Sequence, residues 1–147
     1  MSTTTAELLA FLRTQRLAVQ AARGPDDSVQ AALIGIAVTE TLEIVFDTLA
    51  TTRKAQNLRR SPRMALVIGG WTGGDERTVQ YEGIADEPTG MELDRLKAAY
   101  FEAWPDGPSR AGWPGLIYVR VRPTWIRYSD FSRNPPLITE FSSQPLG

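Results

Sequence analysis

The chain has 147 residues, 42% hydrophobic and 22% charged, with 16 Lys+Arg against 17 Asp+Glu and a net charge of -1. It contains neither cysteine nor histidine, which excludes disulfides, thiolate nucleophiles, Ser-His-Asp hydrolysis, His-ligated haem and the usual catalytic zinc sites. A sequence pI near 5.5 argues against a general polyanion binder, which draws its affinity from many phosphate contacts.

One domain is expected at this length. No apolar run approaches the roughly 18 residues of a membrane helix, and the threonine-rich start does not read as a secretory signal, so a cytoplasmic location is expected. Thr4 and Glu7 have the spacing of a capping box and predict a helix through Leu8, Leu9, Phe11 and Leu12. Leu17–Ala22 and Val29–Val38 flank Gly24-Pro25-Asp26-Asp27 and predict a β-hairpin. Thr39-Glu40-Thr41 turns the chain before a third strand, Leu42–Asp47, and Arg63–Gly70 is a fourth; both read as buried. After a glycine-rich loop, Arg77–Asp86 alternates Val79, Tyr81 and Gly83 against Thr78, Gln80 and Glu82, a strand with one wet face.

Thr89 and Glu92 form a second capping-box pattern, opening a helix whose Leu93, Leu96, Tyr100 and Ala103 cover the sheet. Pro105, Gly107, Pro108 and Pro114 break the chain before Leu116–Phe131, read as two further strands. The tail from Ser132 has little pattern of its own and is read as packing on a partner surface, giving a domain over 1–131 and a tail over 132–147. About six short, mostly antiparallel strands with accessory helices predict an all-β-dominated small barrel, because closure removes exposed edges.

Between the third and fourth strands, TLATTRKAQNLRRSPR (Thr48–Arg63) holds five Arg/Lys and no acid. Such a run is most often a solvated face; a nucleic-acid surface or a site for one phosphate are the alternatives. Helix onset near Thr51 or Thr52 and an end before Pro62 place Arg53 and Lys54 in the first turn, where cations oppose the helix dipole. A bound anion resolves that conflict. The hydroxyls of Thr48 and Thr52, the free N–H groups and the two cations can converge on a phosphate. Arg59, Arg60 and Arg63 read as the solvated face that offsets the other end of the dipole.

The stretch IVFDTLATTRKAQNLRRSPRMALVI, followed by RTVQYEGIAD and WPGLIYVRVRPTWIRY, resembles the pyridoxamine 5'-phosphate oxidase-related flavin-binding family from about Leu17 to Tyr128. The resemblance implies a six-stranded antiparallel split β-barrel, an N-terminal helix, and one helix inserted before the last strands. It further implies a homodimer with FMN at its interface. Carried over by position, the phosphate contacts fall on Thr48, Thr52, Arg53 and Lys54. Main chain between Ala32 and Ala37, notably Ile36 and Ala37, flanks the isoalloxazine ring. Thr78 takes a position where the family's oxidases have glutamine, and Tyr128 reaches the flavin from the second subunit. The family's true oxidases also carry an Arg and a Lys in the strand matching Gln30–Val38, and an Arg-x-His pair near the C-terminus. This chain has neither, so oxidation of pyridoxamine phosphate is not expected.

Trp71, Trp104, Trp113 and Trp125 read as core or interface rather than flavin-stacking residues. Glu82 and Asp86 have no spacing that demands acid–base chemistry, and neither catalytic residues nor a metal site are assigned. A flavin oxidoreductase is the leading reading, with Arg77 or Arg127 as a positive group near the ring's pyrimidine end. A non-catalytic FMN-binding or stress-associated protein, and a deazaflavin-dependent reductase on the same fold, are the alternatives. The small-molecule substrate is not identified, and neither nucleic acid nor membrane is expected as a partner.

Overall fold

The computed structural model describes residues 2–142, which form α1 (Thr5–Arg13), β1 (Leu17–Arg23), β2 (Val29–Gly35), β3 (Ala37–Val38), β4 (Ile44–Leu49), α2 (Arg53–Arg60), β5 (Arg63–Gly69), β6 (Arg77–Asp86), α3 (Gly90–Ala103), β7 (Leu116–Asp130) and β8 (Leu137–Ser142). The strands make one 8-stranded antiparallel sheet in the order β2-β1-β5-β6-β7-β4-β3, with β8 also on β7. β2 and β3 are consecutive in the chain yet lie at opposite ends of that order. The sheet therefore curls into the predicted split barrel, with eight strands instead of about six.

The local signals explain the elements. Thr4 and Glu7 form the expected reciprocal cap of α1, at 3.1 Å for both bonds. The hairpin pairs Leu17 with Gly35 through to Arg23 with Val29. Its inner residues Ala18, Gln20 and Ala22 are buried in strict alternation. Leu8, Phe11 and Leu12 of α1 join Ile34, Phe46, Leu66, Ile68 and Tyr81 in the barrel core. Tyr81 donates its hydroxyl to Leu42 O and Val121 O at 2.8 and 3.0 Å, so its one polar group is satisfied inside the core.

Several expectations need correction. The second strand does not run to Val38: it breaks at Ile36, whose N–H donates to Arg16 O at 2.9 Å while Ala37 and Val38 pair with β4. Leu42 is not in a strand but in the preceding turn, at φ 66°. β5 is buried on one face only, with Arg63, Ala65 and Val67 exposed. Thr89 makes no side-chain cap: Gly90 follows it at φ 64°, outside helical geometry, and the reciprocal bond is lost as well, because the Glu92 carboxylate accepts from Arg95 Nε and Arg120 Nη1, both at 2.9 Å. Residues 116–130 are one strand, not two, pairing with β4 through its first half and with β8 through its second. Leu137–Ser142 adds the eighth strand, with Phe141 against the core; residues 143–147 of the proposed tail lie outside the described residues.

A second, smaller core, Val45, Leu96, Tyr100 and Tyr118, lies between the sheet and α3. An ionic network pins that helix. Glu43, 6% exposed, accepts from Thr39 Oγ1, Thr41 Oγ1 and Arg95 Nη1 at 2.8–2.9 Å. Burial raises its carboxyl pKa, but these bonds outweigh burial and hold it below the ordinary value. Arg120 joins Asp86 at 2.6 Å and Glu92 at 2.9 Å.

Between β6 and β7 the register shifts at Glu82/Gly83, where Trp125 and then Pro123 stand opposite and Thr124 is the extra residue. A Cβ on Gly83 would lie 2.4 Å from Arg122 O and 2.7 Å from Val121 Cγ1. Backbone cannot yield as a flexible side chain does. Gly83→Ala is therefore expected to destabilise the fold by about 1–3 kcal/mol, read as a lower urea midpoint at unchanged m-value; an unchanged midpoint would refute the close approach.

Candidate cofactor site

The turn from β4 into α2 is built by two threonines. Thr52 caps α2, accepting from Ala55 N at 3.3 Å and donating to Leu49 O at 2.9 Å. That donation uses its only proton, so the 3.1 Å contact between the two hydroxyls is donated by Thr48. Both threonine protons are thus committed within the turn. What the turn offers an anion is the backbone N–H of Arg53 and of Lys54, which open the helix and have no intrahelical acceptor, together with the two cationic side chains.

These groups edge a cleft of about 600 Å³ whose opposite wall is the inner face of the β1–β2 hairpin, with Gln20, Ala22, Gln30 and Ala32. Gln20 pairs with Ala32, and Ala22 with Gln30, so the inner sides of both strands face α2 together. The Gln30 amide lies between Arg53 and Asn57: it accepts from Asn57 Nδ2 at 2.7 Å, or, with the amide turned over, from the Arg53 guanidinium. Gln20 is 2% exposed, and its Oε1 has no hydrogen-bond partner. A buried acceptor left unpaired costs about 1–3 kcal/mol, and this one lines the cleft.

The two halves of the basic run differ in their partners. Arg59 donates to both carboxylate oxygens of Glu87 at 2.9 Å, and Arg60 donates to Asn57 Oδ1 at 2.8 Å. Among the described residues, no ion pair involves Arg53 or Lys54. Burial pushes the Lys54 ammonium below its ordinary value, against the opposing field of Asp47. A desolvated cation without a carboxylate, at the N-terminus of a helix, is an arrangement that an anion stabilises.

The other residues singled out from the sequence lie elsewhere in the single chain. Ile36 and Ala37 are buried and line a separate cavity of about 360 Å³ with Arg13, Glu40 and Glu102. Thr78 pairs with Ser129 on β6–β7. Tyr128 is buried with its ring edge-on to Phe11 at 5.6 Å, and burial raises its phenol pKa. Arg77 is held by Asp75 at 2.7 Å and stacks over Phe11, and Arg127 is held by Glu140 at 3.1 Å. Asp86 is tied to Arg120 and Glu82 is exposed. Trp104 packs on Gly35, Trp125 bonds Glu140 at 2.7 Å, and Trp71 and Trp113 are exposed. Sequence reasoning missed Gln20 and Asn57; the signal for Gln20 was an amide at an inward position of an otherwise alanine-rich strand.

A family profile described as pyridoxamine 5'-phosphate oxidase matches residues 4–130. No curated protein matches the sequence. Among solved structures, a heme binding protein from Mycobacterium smegmatis superimposes at TM-score 0.81 and 16% identity, over 97% of this chain but 59% of that one. A conserved hypothetical protein from Mycobacterium tuberculosis is similar at TM-score 0.75 and 25% identity, over 100% and 94% of the two chains. A pyridoxamine 5'-phosphate oxidase-related, FMN binding protein from Nostoc punctiforme is similar at TM-score 0.65 and 12% identity, over 96% and 93%. The profile spans α1 to the end of β7, and the split barrel it describes is the one formed here: the chain belongs to the pyridoxamine 5'-phosphate oxidase family.

Proposed function

We propose that the protein binds FMN, with the phosphate at the N-terminus of α2, and acts as a flavin-dependent oxidoreductase that does not oxidise pyridoxamine phosphate. The observation that carries this reading is the pair Arg53 and Lys54, which line the cleft without a carboxylate partner among the described residues while Arg59 is tied to Glu87. The residues present fit the group. The cleft volume lies within the range of cofactor pockets. Arg53, Lys54 and their two N–H groups suit a phosphate, with Thr48 and Thr52 shaping the turn beneath it. The unpaired Gln20 oxygen suits a ligand N–H. When bound, FMN supplies hydride and single-electron chemistry; the protein supplies position and charge.

Assembly as a homodimer is proposed through the outer face of β2-β1-β5. Leu17, Val29, Leu33 and Val67 are 37–78% exposed there, and Leu33, Val19 and Val67 lie side by side across three strands. A continuous apolar patch of this kind marks an interaction surface. In the dimer, Ile36, Ala37 and Thr78 are the proposed ring-side contacts and Tyr128 comes from the second subunit. The tail after Ser132 is proposed to pack on that subunit. No described helix is long and apolar enough to cross a membrane, and a cytoplasmic location is proposed.

Some structural neighbours are described as heme binding or as a general stress protein. A chain without histidine or cysteine offers haem no imidazole or thiolate ligand, which favours the flavin. A non-catalytic flavin carrier and a deazaflavin enzyme share the same anion site and are separated by experiment. The absorption spectrum of the purified dimer distinguishes FMN from a deazaflavin, and reduction by a nicotinamide donor with reoxidation tests for turnover. A colourless protein that takes up no FMN and sediments as a monomer would overturn the proposal.

Replacing Arg53 and Lys54 together by alanine is expected to cost several kcal/mol of FMN affinity, about a hundredfold or more. Arg59→Ala with Arg60→Ala should change it less than about threefold, because exposed charges near the C-terminal end of the helix contribute little. Fluorescence titration of both double variants checks this, and equal losses would make the run a diffuse electrostatic patch.

The depressed Lys54 pKa sets a pH dependence. Phosphate favours the protonated amine, so FMN affinity should fall as pH rises through the Lys54 pKa, which lies below 10.5. Lys54→Arg keeps its charge throughout that range. Its affinity should stay level where that of the wild type declines; parallel profiles would remove Lys54 from the phosphate site.

A further inference from the structure

One buried amide in the cleft serves no contact within the fold. Gln20 is 2% exposed, and its Oε1 accepts no hydrogen bond. The strands around it supply no donor. β1 lies between β2 and β5, so the N–H groups beside Gln20 are committed to the two ladders. Ala32 and Leu66 stand opposite Gln20 on those strands, and Ala18 and Ala22 flank it on its own face, all four apolar. A leucine would fill this position with no polar group to satisfy. The side left open is the cleft, which Gln20 lines together with Arg53, Lys54 and Asn57.

Register fixes its place along that wall. Gln30 stands opposite Ala22, two residues from Gln20, so the two amides share one face and lie about 7 Å apart along the strand direction. The Gln30 amide is within reach of Asn57 and of the Arg53 guanidinium, which puts it beside the anion site. Gln20 therefore meets a different part of the same ligand. We propose that Gln20 is a specificity-determining residue: its Oε1 accepts from a hydroxyl on the chain that adjoins the phosphate, so the cleft takes the phosphate ester of an acyclic polyol, as in the ribityl phosphate of FMN. The proposal rests on the phosphate reading above. An amide oxygen accepts from O–H and N–H alike. Distance decides between them, because the ribityl hydroxyls follow the phosphate within that span, whereas the ring N–H lies beyond the whole chain.

The test compares three ligands: FMN, riboflavin, and an FMN analogue in which a plain pentyl chain carries the phosphate. In Gln20→Leu, the affinities for FMN and riboflavin should each fall about tenfold, because both carry the hydroxyls. The hydroxyl-free analogue should bind the variant as it binds the wild type. The urea midpoint of the ligand-free variant should equal or exceed that of the wild type, since a buried unpaired acceptor has been removed. Gln20→Met, which keeps the length of the side chain, carries the test if Gln20→Leu does not fold. Unchanged FMN affinity, or an equal loss for FMN and the hydroxyl-free analogue, would overturn the proposal while leaving the phosphate site standing. A lower midpoint with loss of all three ligands would give Gln20 a structural role and overturn it as well. A wild-type protein that binds FMN and riboflavin equally would overturn the phosphate reading, and with it the placement of the polyol chain beside Gln20.

Discussion

The step from β2 to β3 at Gly35–Ile36 is the constraint on which the rest of the structure depends. Two residues carry the chain from one edge of the sheet to the other, and Trp104 holds them there. A Cβ on Gly35 would lie 2.6 Å from Trp104 Cζ2, so only glycine permits this approach of backbone to indole. The indole N–H donates to Ile36 O at 2.9 Å, and the Arg16 guanidinium lies over the same ring at 4.1 Å. With the edges brought together, the inner face of the β1–β2 hairpin faces α2 rather than solvent. The cleft between them follows from sheet closure, not from any feature of α2 alone.

Closure also determines which charges remain available. The curled sheet presents β4, β6 and β7 to α3, and Arg120, Arg95 and Arg110 bind carboxylates there. On the other side, Arg59 meets Glu87 just beyond β6. Pairs of this kind contribute little each when exposed, yet each occupies a cation. A chain of net charge -1 can therefore hold a positive site only where the topology keeps its acids away. The first turn of α2 is such a place, because the hairpin opposite carries amides and alanines.

Much of this was legible in the sequence where the signal was local. The Thr4–Glu7 cap, the turn at Pro25–Asp27 and the placement of Arg53 and Lys54 in the first turn of a short helix all rest on residues within a few positions of one another. The illegible parts have distant causes. The break at Ile36 is set by Trp104, 68 residues away. The glutamate half of the expected box at Thr89 is lost to Arg120 on β7, which holds the Glu92 carboxylate. β8 has a weak pattern of its own and exists because the second half of β7 leaves an edge beside β6 for it to pair with. The same division holds at the candidate site: the placement of Arg53 and Lys54 at the start of α2 was legible in the sequence, whereas Gln20 and Asn57 come to line the cleft beside them only once the strands are in place.

The composition of the hairpin wall then gives the cleft its electrostatic character. Gln20 and Gln30 contribute dipoles and Ala22 and Ala32 contribute none, so no charged side chain of β1 or β2 lines the cleft. Charge compensation for an anionic ligand falls to Arg53 and Lys54 and the two N–H groups behind them. Arg53 is already within reach of the Gln30 amide, which holds it at the wall without neutralising it. Lys54 has no such neutral partner, and burial holds its ammonium below the ordinary value. A cleft with so few charges is sensitive to the state of each one, because the opposite wall holds no arginine or lysine to take the place of either cation.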